Sequence, residues 1–100
     1  MNKPKRIVDR KLLAVVRELW CLVCLDTPCD VHHVKTRGAG GHDLPENLMP
    51  LCPKHHGLVH LSGLWKISEE NKAVDNWLIL AGWEKDERRK KWIPPELLRN

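Results

Sequence analysis

The chain has 100 residues, with 17 lysines and arginines against 13 acids, a formal net charge of +4 and four cysteines. That length suits a single domain over residues 1–100, with a core thin enough that a metal or disulfide staple is expected. The longest apolar run of the N-terminal segment, Leu12 to Val16, is too short and too closely flanked by charge for a secretory leader, and no stretch approaches a membrane span. The reading is a cytoplasmic protein with reduced thiols and no membrane partner.

Taken in chain order, residues 9–20 place Leu12, Leu13, Val16, Leu19 and Trp20 at helical spacing behind Asp9, a suitable cap, and predict a first amphipathic helix. It runs straight into Cys21-Leu-Val-Cys24, and Asp26-Thr-Pro28 is turn material. Residues 30–35 read as a short strand, 36–43 as a glycine-rich irregular loop, and 48–51 as a second strand. Pro53 suits the first turn of a helix that continues to Ser62 and stops at Gly63. After a connector through Trp65, Ser68 is placed to cap a helix over 68–82, with Val74, Trp77, Leu78 and Ala81 on one apolar face and Gly82 as its end. The tail, 84–100, is charged, with only a weak helical turn expected at 96–99. Strand, loop, strand and helix between flanking helices make an α+β arrangement whose motif core is 20–63.

Basic residues gather at the two ends: Lys3, Lys5, Arg6, Arg10 and Lys11, then Arg88, Arg89, Lys90 and Lys91. They suit a polyanionic partner, and they equally read as solvated flanks. The five tryptophans read as core, because the chain has no Phe or Tyr to fill an interior; Trp92, beside the basic run, is the exception placed to stack on bases.

Cys21-x-x-Cys24 and Cys52-x-x-His55 are two pairs with zinc-ligand spacing. A two-residue gap lets both members turn onto one ion, and a Cys3His set satisfies a tetrahedral zinc. Cys29 is left over; it is read as a small buried residue, with the alternative that it replaces His55 as fourth ligand. A redox Cys-x-x-Cys would open a helix after a strand, whereas this one is expected to close a helix.

His32-His33 falls on the first predicted strand, where neighbours point to opposite sides, so the two should have different jobs. His56 and His60 are four apart and share a helix face, while His55 and His56 lie about 100° apart around the helix axis and can serve two different metals.

In these residues the sequence resembles the HNH endonucleases, the ββα-metal or His-Me finger nucleases. The match runs through Cys21-x-x-Cys24, Asp30-Val31-His32-His33, Arg37-Gly-Ala-Gly-Gly, Asn47 and Leu51-Cys52-Pro-Lys-His55-His56-x-x-x-His60, roughly the central half of the chain. The resemblance implies a hairpin-plus-helix core stapled by zinc; the flanking helices, 9–20 and 68–82, are not part of the match. It further implies His33 as general base, His32, His56 and His60 as ligands of a catalytic cation, and Asn47 as the residue that holds the loop and so orients the base. DNA would be the substrate, cut to 5′-phosphate and 3′-hydroxyl ends. Many members carry Asp at the position of His32 and cysteine at that of His55.

An all-imidazole set favours Zn²⁺, Ni²⁺, Co²⁺ or Mn²⁺ over Mg²⁺, which prefers oxygen ligands; Mn²⁺ or Ni²⁺ is expected to support activity best, with Mg²⁺ as a further candidate. Lys35, Arg37 and Lys54 lie close enough in sequence to the site to meet phosphate, and glycines 38–41 allow a close backbone approach. The competing reading is a non-catalytic zinc module that binds nucleic acid or protein and needs only Cys21, Cys24, Cys52 and His55. Recognition sequence, oligomeric state and biological setting have no signature here.

Overall fold

The computed structural model describes residues 5–99, so Lys3 lies outside the described residues. Within them the fold is a small α+β assembly of four helices and two antiparallel hairpins. Helix α1 is Arg10–Arg17, strand β1 Asp30–His33, strand β2 Leu48–Leu51 and helix α2 Pro53–Ser62. Helices α3, Leu64–Glu70, and α4, Lys72–Leu80, follow, and strands β3, Glu84–Asp86, and β4, Lys91–Ile93, close the fold. No helix of the described residues is long and apolar enough to cross a membrane.

Helix α1 starts where Asp9 accepts a hydrogen bond from the Leu12 N–H. It is shorter than the expected 9–20 because two backbone groups are taken elsewhere. The Cys29 N–H donates to the Arg17 carbonyl, and the Cys21 N–H donates to the Asp26 carbonyl. The Cys21–Cys24 pair therefore sits on its own turn, with Leu25 at a φ of 66°, and Leu22 N–H anchors that turn to the Pro50 carbonyl of β2.

Strands β1 and β2 pair antiparallel from Asp30↔Leu51 to His33↔Leu48. β1 stops two residues before the expected end, since the Lys35 N–H and carbonyl both bond the Asn47 side chain in place of a neighbouring strand. The loop after it holds a 3-10 turn at Arg37–Ala39, capped by Thr36. Gly41 is required there, because a Cβ would collide with the Lys35 carbonyl. Its close backbone approach is thus to its own chain.

Helix α2 has the expected bounds, with Pro53 in its first turn and Gly63, at φ 88°, as its stop. The single helix expected over 68–82 is instead two. Asn71 adopts extended angles, donates from its amide to the Ile67 carbonyl, and accepts the Val74 and Asp75 N–H groups on its own carbonyl. It ends α3 and starts α4. Ser68 is no cap but a buried residue inside α3, its hydroxyl donating to the Trp65 carbonyl and accepting from Trp92 Nε1.

The tail is also more ordered than its charge suggests. Trp83 and Trp92 are buried at the base of the β3–β4 hairpin, so Trp92 is a core residue and not a surface platform for bases. Trp20, read as core, is instead 66% exposed, because α1 ends before reaching it. A 3-10 turn at Glu96–Leu98 tucks Leu98 into the main core beside Met49, Leu51, Val74 and Leu78, each fully buried aliphatic side chain contributing about 1.5–3 kcal/mol. A smaller cluster of Leu13, Val16 and Leu48 packs α1 against the β1–β2 hairpin.

Candidate metal centres and the histidine cleft

The Cys21–Cys24 turn, the end of β2 and the first turn of α2 meet, and Cys21, Cys24, Cys52 and His55 present ligand atoms all within 4.8 Å of one another. Cys24 Sγ lies 3.7 Å from Cys52 Sγ, Cys21 Sγ 3.7 Å from His55 Nδ1, and Cys52 Sγ 3.1 Å from His55 Nδ1. A tetrahedral zinc with sulfur at about 2.3 Å and nitrogen at about 2.0 Å sets its donors roughly 3.5–3.8 Å apart, so the group has the donors and spacing to hold a metal such as zinc.

The thiols feel one another. Burial would raise Cys21, but backbone N–H groups of Cys52, Cys24 and Val23 outweigh it and lower its pKa. At Cys24 the Asp26 backbone lowers the pKa, yet desolvation and the neighbouring Cys52 and Cys21 thiols prevail and push it up to about 11. Once one thiolate forms here, its neighbour resists ionising, and a divalent cation relieves that repulsion. Cys29 stands outside the group, its thiol directed at the Asp26 carbonyl and its pKa raised by burial and by Cys21.

One residue further along α2 the chain faces a second cluster. His32, His56 and His60 also bring ligand atoms within 4.8 Å of one another. His56 and His60, one turn apart, hold their Nε2 atoms 3.0 Å from each other. The His32 ring stands edge-on to both, at 5.2 and 5.3 Å between centroids. His56 Nδ1 lies 3.1 Å from Asp30 Oδ2, so Nδ1–H donates to the carboxylate and the Nε2 lone pair is left turned to the cluster. Desolvation, then the rings of His56, His60 and His33, lower the pKa of His32 to about 4, so its imidazole is a neutral donor at pH 7.

His33, the next residue of β1, does not join the three. Its Nε2 is 2.7 Å from Asp43 Oδ1, a carboxylate that is itself 1% exposed. Both histidines nevertheless line one cleft of about 230 Å³ with Thr36, Arg37, His56 and His60. Burial would raise the pKa of Asp43, but the Asp9 N–H, His33 and Arg6 outweigh it and hold the carboxyl below its ordinary value.

Asn47, fully buried, ties the loop down. Its Oδ1 accepts from Lys35 N–H at 2.7 Å, and its Nδ2 donates to the Lys35 and His42 carbonyls at 3.0 and 3.1 Å. Of the three cations expected near phosphate, Arg37 lines the cleft and Lys54 is exposed at the start of α2. Lys35 instead donates its ammonium to the Leu98 carbonyl at 2.7 Å, which turns it toward the C-terminal turn.

Asp43, Arg6 and Asp30 escaped the sequence reading as site residues. A loop aspartate and a basic N-terminal flank carry no periodicity, and the one available signal was an acid at the end of a glycine-rich loop. A larger hollow, about 530 Å³, lies elsewhere: it is lined by apolar residues such as Leu12, Val15, Leu19, Trp20 and Trp77 and shares no residue with the histidine cleft. Comparison of the chain with known protein-family models, with curated proteins and with solved structures found no match in any of the three.

Proposed function

We propose that this chain is a divalent-cation-dependent endonuclease of the HNH, or ββα-metal, type that hydrolyses DNA phosphodiester bonds, with His33 as general base. The observation that carries the reading is a division of labour between adjacent histidines. His32 converges with His56 and His60 on one point, while His33 lines the same cleft with its ring held by a carboxylate. The order strand, loop, strand, helix that brings them together also agrees with the resemblance in the motif residues.

In this reading His33 removes a proton from a water molecule in the cleft as the water oxygen forms its bond to phosphorus. The bond from phosphorus to the 3′ oxygen breaks, that oxygen takes a proton from a second water, and the ends are 5′ phosphate and 3′ hydroxyl. His32, His56 and His60 would hold a divalent cation, which would supply positive charge against the charge that develops during hydrolysis. Asp30 keeps His56 in its ligating tautomer, Asn47 fixes the loop that carries Asp43, and Arg37 offers the cleft a charge for the DNA backbone. The zinc set Cys21, Cys24, Cys52 and His55 is structural and fastens the N-terminal half to the first turn of α2.

The test is nicking of supercoiled plasmid with Mn²⁺, Ni²⁺, Zn²⁺ or Mg²⁺, run beside His33→Ala. Removal of a general base costs about 10²- to 10⁴-fold in rate. Cleavage that depends on added cation and falls by that factor in His33→Ala, with DNA affinity kept, supports the reading. A parent protein that binds one zinc and cuts nothing is a non-catalytic zinc module.

A further inference from the structure

The segment ahead of α1 is strapped across the loop that carries Asp43. Arg6 Nη1 donates to the Gly41 carbonyl at 3.3 Å and to Asp43 Oδ1 at 2.8 Å. The Ile7 N–H donates to His42 Nδ1 at 2.8 Å, and the Asp43 N–H returns a bond to the Ile7 carbonyl at 2.9 Å. The Asp9 N–H donates to Asp43 Oδ2 at 2.9 Å, while Asp9's own carboxylate caps α1. A solvated basic flank would make none of these bonds.

All three partners of the Asp43 carboxylate are donors: Arg6 and His33 at Oδ1, and the Asp9 N–H at Oδ2. A carboxylate this buried is tolerated only when it is paired in this way, and an ionised carboxylate can only accept. His33 must therefore place its proton on Nε2. A neutral imidazole with its proton there has its lone pair on Nδ1.

We propose that Asp43 is the positioning residue of the general base, and that Arg6–Asp9 belongs to the catalytic apparatus by holding the Asp43 carboxylate where it fixes His33 with Nδ1 as proton acceptor. The proposal rests on the nuclease reading for its consequence, though not for its geometry. As Nδ1 takes the proton from water the ring becomes an imidazolium, and the carboxylate 2.7 Å from Nε2 is in place to stabilise it.

The experiment has two arms on the zinc-loaded 100-residue chain. The first reads the His33 ring directly by long-range ¹⁵N–¹H correlation NMR at neutral pH. The parent is expected to carry its proton on Nε2. Asp43→Asn, isosteric but with an amide among three donors, is expected to lose that single tautomer. The second arm compares plasmid cleavage by the parent, Asp43→Asn and Arg6→Met, with Arg6→Lys as the variant that keeps the charge.

Expected results are a kcat lower by about 10²- to 10⁴-fold for Asp43→Asn, KM and DNA affinity within about twofold, a smaller kcat loss for Arg6→Met, and partial recovery in Arg6→Lys. A parent His33 with its proton on Nδ1 overturns the proposal, and so does a folded Asp43→Asn variant that cuts at the parental rate. If the parent cuts nothing under any cation, the nuclease reading fails, and the NMR arm still decides whether Asp43 sets the tautomer. Should Asp43→Asn not fold, the parent spectrum and the Arg6 variants carry the decision.

Discussion

Replacing Asn47 with alanine removes three hydrogen bonds from a fully buried side chain and strands their partners, the Lys35 N–H and the Lys35 and His42 carbonyls. Each orphaned buried polar group costs about 1–3 kcal/mol, and the partly buried Lys35 groups recover some of that from water. Adding the small void left by the amide, the loss comes to about 3–5 kcal/mol, a large share of the 5–15 kcal/mol that holds a typical domain together. For a chain of this length that corresponds to a melting temperature lower by roughly 15 °C or more.

Asn47→Asp is the sharper probe. It keeps the acceptor for the Lys35 N–H but turns the donor that serves two carbonyls into a third oxygen, so it should destabilise at least as much at neutral pH and recover as the new carboxyl protonates. Urea unfolding with zinc in excess measures both. Either variant within about 1 kcal/mol of the parent refutes the claim that this side chain, in place of a third strand, holds the loop.

Three further outcomes follow from the site. A graded chelator titration should separate two events, since three imidazoles hold a divalent cation less tightly than a four-donor Cys3His set: nuclease activity goes first with the circular dichroism intact, and the fold goes at higher chelator. A single coincident transition would deny two distinct sites. Cys29→Ser should leave zinc stoichiometry unchanged, checked by metal analysis, because that thiol lies outside the ligand group. Asp43 sets an acid limit on stability. Its folded pKa lies below the ordinary carboxylate value of 3.8, so its contribution is fully present above about pH 4 and is lost as pH falls through the folded value. Melting temperatures of Asp43→Asn should therefore fall less steeply below about pH 4 than those of the parent.

What was legible in the sequence was whatever local chemistry dictates. Pro53 and Gly63 bracket α2 because one suits a first turn and the other accepts the positive φ of 88° at its end. Cys-x-x-Cys and Cys-x-x-His spacing anticipated a four-donor group, since ligand geometry is nearly independent of the surrounding fold. The alternation of a strand foretold that His32 and His33 would part company.

What was missed depends on partners distant in sequence. The capture of the Arg17 carbonyl by Cys29, and of the Cys21 N–H by Asp26, ends α1 early and leaves Trp20 exposed. Asn71 divides the helix expected over 68–82 by using both its amide and its carbonyl, and nothing in the hydrophobic period reveals that. The charged tail folds into a hairpin because Lys85 finds the carboxylate of Asp75 and because Trp92 finds Ser68, contacts invisible to a charge count. Arg6, read as one of a run of surface cations, is instead a partner of the buried Asp43.

The most direct test titrates the zinc-loaded protein with Mn²⁺ while plasmid nicking is followed in the same samples. The account predicts one further cation per chain, a nicking rate proportional to its occupancy, and loss of both binding and cleavage in His56→Ala while zinc stays bound. A rate already maximal with zinc in the cysteine site alone, or full Mn²⁺ occupancy in His56→Ala, would contradict it.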